Sequence, residues 1–129
     1  MKPVAEDIVS LLDNELNLSF ADNLFVNKEP LEPTNVVTIY STSGAPTELT
    51  YDKKSIKNDN IQIRVRHSDP QLGWRLAIDI HDMLNGMSNV ELVNSGYLIN
   101  ILCISGPFQL KFDEKGRIIL VINFEVKRR

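Results

Sequence analysis

The stretch from Asp69 to Gly86 carries the punctuation of a helix at both ends. Asp69 can cap the N-terminus, Pro70 suits the first helical position because its missing N–H would be unpaired there anyway, and Gly86 can close the far end. Leu72, Leu76, Ile80, Met83 and Leu84 line one face, while Trp74, Ala77 and Ile78 widen the stripe. A helix over 70–85 that is apolar across so wide an arc is expected to lie across a sheet and to show little of itself to water. The rest of the chain must then supply the sheet.

It has the strands to do so. Ile61, Ile63 and Val65 alternate with Gln62, Arg64 and Arg66, the pattern of a half-buried strand with one apolar and one basic face. Val36-Val37-Thr38-Ile39-Tyr40 is β-branched and aromatic, and a short apolar piece at Leu24-Phe25-Val26 reads as a first strand. The last third predicts four more: Val90 to Val93, Tyr97 to Ile104, Phe108 to Phe112 and Ile118 to Val126. Gly106-Pro107 is expected to break the second of these from the third. Asp113-Glu114-Lys115-Gly116 reads as a hairpin connection with Gly where a left-handed residue is needed.

Ahead of the strands, Val4, Ile8, Leu11, Leu12 and Leu16 recur at helical spacing, with Glu6 and Asp7 placed to complement the helix dipole. This predicts an amphipathic helix over about 3–17, with Asp7, Asp13 and Glu15 on its solvated face. In Glu29-Pro30-Leu31-Glu32-Pro33 each proline biases its predecessor away from helix, so the segment is extended or turning. Residues 41–60 hold Gly44, Pro46, three Lys and two Asn, and are expected to form a long polar loop or an arm that gains order on a partner. Lys127-Arg128-Arg129 reads as a solvated basic tail. Nothing marks a linker between two cores, so residues 1–129 are expected to be one domain.

Charge and cysteine content narrow the function classes. Residues 1–60 hold 5 Lys/Arg against 10 Asp/Glu, and residues 61–129 hold 9 against 7, giving an acidic half and a basic half within a net charge of −3. A free-standing nucleic-acid binder would carry a dominant basic patch, which this balance disfavours. A single cysteine, Cys103, makes no internal disulfide and no multi-thiolate metal site, and its apolar surroundings read as core. No run reaches the roughly 18 apolar residues of a membrane helix. Met1-Lys2-Pro3 is followed by Glu6 and Asp7 where a secretory leader needs apolar residues, so assembly in the cytoplasm is expected.

Catalytic patterns are sparse. His67 and His81 stand near Asp69, Asp79 and Asp82, from which a small metal-dependent hydrolase can be imagined, but no H-E-x-x-H or paired i, i+4 histidines occur. No nucleophile elbow or phosphate-binding glycine loop is present. The expectation is therefore no catalytic residues, no metal and no cofactor. Arg64 and Arg66 share one side of their strand and are candidates either for pairing carboxylates across a subunit contact or for a solvated face. Trp74 is core by default and an interface anchor if exposed.

Taken together, the short first helix, the Glu29-Pro30-Leu31-Glu32-Pro33 lead into Asn35 to Tyr40, the Gly44-Ala45-Pro46 turn, and Ile61-Gln62-Ile63-Arg64-Val65-Arg66 running into a helix that ends Leu84-Asn85-Gly86 resemble the small minor capsid and tail terminator proteins of long-tailed bacteriophages. The likeness covers about residues 4–86, and Pro70-Gln71-Leu72-Gly73-Trp74 departs from the more aromatic, alanine-rich helix start usual there. With the elements above, the resemblance implies an α+β protomer: a mixed, mostly antiparallel sheet with two main helices packed on it. It further implies a virion protein of the head–tail interface. There a homohexameric ring would cap the tail tube, stop its polymerisation and offer a surface to a head-completion or stopper protein, while DNA passes the lumen without specific binding. A head-completion or stopper role is the alternative within the same class. Under this resemblance Arg64, Arg66, Gly44, Tyr51, Lys53, Lys54 and Trp74 are the candidate contacts between subunits or with the tube.

Overall fold

A computed structural model describes residues 2–49, 55–92 and 96–129, with the side chains of 43–49 and 55 outside the description. Among these residues two helices and six strands follow in the order α1 (Val4–Leu12), β1 (Leu24–Val26), β2 (Val36–Leu49), β3 (Ser55–His67), α2 (Pro70–Leu84), β4 (Ser88–Glu91), β5 (Tyr97–Phe112) and β6 (Ile118–Arg128). The strands form one sheet ordered β1-β2-β3-β6-β5-β4. Among the described strands only β1 and β2 run parallel; every other neighbouring pair is antiparallel. The architecture is the expected α+β arrangement, a mixed and mostly antiparallel sheet carrying two helices.

Alternation decides the faces. Ile61, Ile63 and Val65 of β3 and Leu120, Ile122, Phe124 and Val126 of β6 are buried in one cluster with α1 and α2. Both helices therefore cover the same side, α1 over β1 to β3 and α2 over β3, β6 and β5. Asp69 caps α2 as expected, its Oδ1 accepting from the N–H groups of Gln71 at 2.9 Å and Leu72 at 3.4 Å.

The buried side of α2 differs from the expected stripe. Gly73, Ala77, Ile80 and Leu84 face the sheet, while Leu72 and Ile78 are 48% and 46% exposed. Small residues decide this: a Cβ on Gly73 would stand 3.0 Å from His67 Cβ and 3.2 Å from Ile118 Cγ2, so the helix seats closely only on its glycine side.

Helix α1 stops at Leu12 and not at residue 17. Asp13 turns extended (φ −60°, ψ 130°), and Asn14, Leu16 and Asn17 take positive φ, a conformation asparagine tolerates. The Asp13 carboxylate then accepts from Phe20 N–H at 3.0 Å, fixing the turn that leads to β1. Asp7, expected in solvent, is buried.

The stretch read as a polar loop or arm, 41–60, is strand wherever it is described: the β2–β3 ladder continues from Thr42↔Asn60 to Leu49↔Ser55, with irregularities on either side of Ala45. Long-range pairing supplies the order that the polar composition hides. Gly106-Pro107 likewise does not end a strand, because β5 runs through it as a bulged edge against β6. Gly106 holds φ +99°, and a Cβ there would lie 2.5 Å from the Val121 carbonyl oxygen. The expected basic tail is also ordered, with Lys127 and Arg128 in β6 and Arg129 exchanging backbone hydrogen bonds with Tyr97.

Candidate functional site

The parallel step from β1 to β2 requires the chain to cross from one end of the strands to the other. Residues 27–35 make that crossing on the face of the sheet opposite the helices, and Arg66 holds them there. Its Nε donates to Thr34 O at 3.2 Å and its Nη2 to Pro33 O at 2.8 Å and Leu31 O at 3.2 Å. Its Nη1 stands 3.3 Å from Glu29 Oε1, and Arg64 Nη1 stands 3.5 Å from the other oxygen of the same carboxylate. Arg117 adds a bond to Leu31 O at 3.2 Å and is itself anchored by Asp113 at 2.6 Å. Pro30 and Pro33 keep this segment out of helix, and the arginine forks satisfy the carbonyls of Leu31, Pro33 and Thr34.

The two arginines picked out by alternation thus sit together, but their local task is internal. Arg66 is only 5% exposed, whereas Arg64 keeps 26% and lines a groove with Lys111, Phe112 and Lys115. Beneath them burial pushes the Tyr40 hydroxyl up, the Glu29 carboxylate adds to the rise, and Arg64 opposes it. Gly44 lies in β2 between the paired Thr42 and Ala45, where the register shifts. Tyr51, Lys53 and Lys54 lie outside the described residues.

Trp74 is half-buried against the core margin and lines a shallow hollow with Arg75 and Ile78. The histidines are separated by the fold. His67 packs at Gly73 and its Nδ1 accepts from Asp69 N–H at 2.9 Å. His81 lies eight residues farther along α2, about 12 Å at the helical rise, with its ring 6.3 Å from Phe124 and its Nδ1 3.0 Å from Asp82 Oδ1. Among the described residues no group of three or more His, Cys, Asp or Glu could hold a metal ion. No helix among them is long and apolar enough to cross a membrane. Cys103 is half-buried at the margin of the core and not within it; burial pushes its thiol up, and Sγ lies 3.6 Å from Gly106 O.

One surface escaped the sequence reading. Leu102, Ile104, Phe108, Leu110 and Phe112 of β5 are each 38% to 55% exposed. Their spacing reads as a strand, but only the sheet order shows that they lie on its margin. Strand β4 covers just Tyr97 to Asn100 of β5, after which Met87 and Gly86 bond to Ile101, and Asn85 Oδ1 accepts from Cys103 N–H. Beyond Cys103 no described strand lies on this side of β5, β6 pairing its other side.

The described residues offer a curved sheet, a clamped crossover and an apolar open edge. No curated protein matches the chain. The sequence model for the bacteriophage tail terminator protein matches residues 5–129. The chain belongs to the bacteriophage tail terminator family, and is a structural component of the phage tail.

Proposed function

We propose that the protein ends the tail tube: copies associate into a closed ring, with six as the expected number, on the head-proximal end, block further addition of tube subunits and present their outer surface to a head-completion or stopper protein. The observation that carries this reading is the family match across residues 5–129, nearly the whole chain. Its assembly takes place in the host cytoplasm, and DNA passes the lumen without specific binding, in keeping with a net charge of −3 per copy. No chemistry enters the reading. His67 serves the turn into α2, and Arg66 and Arg117 serve the crossover, so the polar groups have mechanical tasks.

The test is genetic. Deleting the gene from its phage is expected to give tails of uncontrolled length, by electron microscopy, that fail to join heads. Tails of normal length on a joinless particle would move the protein to the head-completion or stopper role, and normal virions would overturn both.

A further inference from the structure

An edge strand with unpaired backbone and exposed apolar side chains is a liability unless something covers it. The open stretch of β5, Ile104 to Phe112, is such an edge, and α2 borders it. Positions 74, 78 and 81 of that helix and its C-cap Asn85 follow one another at spacings of four, three and four, a single stripe. Asn85 of this stripe accepts from Cys103 N–H of β5, and His81 lies against Phe124, the β6 partner of Cys103, so the stripe is the flank of α2 turned toward β5. Trp74 and Ile78 continue it, half-buried and 46% exposed respectively. An edge strand under an apolar helix flank is suited to receiving an added strand, with affinity from the main chain and packing from the flank.

We propose, resting on the ring reading above, that the strand received is β2 of a second copy. β2 has an open edge of its own. On its outer side β1 pairs only Val37 to Ile39, and Asn27 Oδ1 accepts from Ser41 N–H; from Thr42 to Leu49 the described backbone is flanked by β3 alone. Direction also fits. Successive strands in β2-β3-β6-β5 are antiparallel, so β2 and β5 run opposite ways, and a neighbour's β2 set beside β5 continues the alternation. The contact joins two different edges, so every copy both gives and receives, which is the requirement for a ring. The free part of β2 aligns with Asn58 and Asn60 of β3, whose β6 partners are Lys127 and Glu125, while the free part of β5 faces Ile118 to Asn123. The two edges thus sit at opposite ends of the strands. Each copy is therefore stepped along the strand direction, and closure tilts the strands to the ring axis, as in barrels.

Native mass spectrometry of the full chain, alone and with tail tubes of its phage, tests this. Leu110 and Thr42 are exposed, so Leu110→Lys and Thr42→Lys are expected to keep the fold, with thermal midpoints within about 4 °C of the parent. Neither variant should form the ring alone, and their mixture should give a heterodimer, because the first still offers β2 and the second still offers β5. The proposal is overturned if Leu110→Lys forms the parental ring, if it forms the ring but loses the tubes (which assigns the edge to the tube protein), or if the mixture stays monomeric. A parent chain that assembles under neither condition instead overturns the ring reading itself, and needs no variant to show it.

Discussion

Arg128 Nη1 lies 2.6 Å from Asp7 Oδ2, a buried ion pair joining residues 121 positions apart. The same guanidinium donates to Lys2 O at 2.7 Å and stands 2.9 Å from Asp59 Oδ2. It thereby ties α1 to β6 and β3, closing the sheet's end with both ends of the chain. Such a pair stabilises little over a well-packed apolar substitute, but losing Arg128 leaves the buried Asp7 carboxylate short of its guanidinium, whereas losing Asp7 leaves Arg128 with Asp59 and Lys2 O. Arg128→Met is therefore expected to cost about 3 to 5 kcal/mol in urea unfolding, more than Asp7→Leu, and the two combined clearly less than the two single losses added together. Strict additivity would show that the two charges are not coupled.

Gly106 and Gly116 both hold positive φ, at +99° and +75°, but only Gly106 has backbone against the place a Cβ would take. Gly116→Ala should cost about 1 kcal/mol, the price of the left-handed conformation. Gly106→Ala should cost at least about 2 kcal/mol more, since β5 must move from β6. Equal midpoint shifts would contradict the close approach.

Arg66→Lys keeps the charge and loses the fork that holds three carbonyls at once. A loss of about 2 kcal/mol is expected, with faster amide exchange appearing first in residues 27–35. Uniform acceleration across the sheet would argue against a clamp specific to the crossover.

At the β5–β6 turn, desolvation pushes the Asp113 carboxyl up, but the N–H groups of Arg117 and Lys115 and the Arg117 guanidinium outweigh it, so the net displacement is downward. A carboxyl lowered by folding adds stability that is complete above its unfolded value, about 3.9, and is lost as pH falls through the lower folded value. Asp113→Asn should thus be less stable than the parent at pH 7, with the gap closing below about pH 4. A gap unchanged by acid would remove the carboxylate from the account.

Some of the fold could be read locally. Asp69 and Gly86 mark α2 whatever surrounds it, because a cap and a terminator act within a turn of their own position. The alternation in 61–66 and 120–126 survives because sidedness is a property of the strand itself. Gly116, too, adopts the left-handed conformation its turn required. The candidate site was legible only as residue types: alternation put Arg64 and Arg66 on one side, and nothing in their spacing indicated that the crossover would lie on top of them.

The amino-acid sequence by itself determined the element types, the apolar faces of β3 and β6, and membership of a phage tail family carried by motifs in residues 4–86. What it could not determine rested on contacts between distant positions. Whether Asp7 met water or Arg128, whether 41–60 hung free or paired, which side of α2 Gly73 turned to the sheet, and whether the apolar residues of β5 were core or margin all depended on strand order. Strand order is set by which distant surfaces pack best together, and local spacing carries no record of that choice.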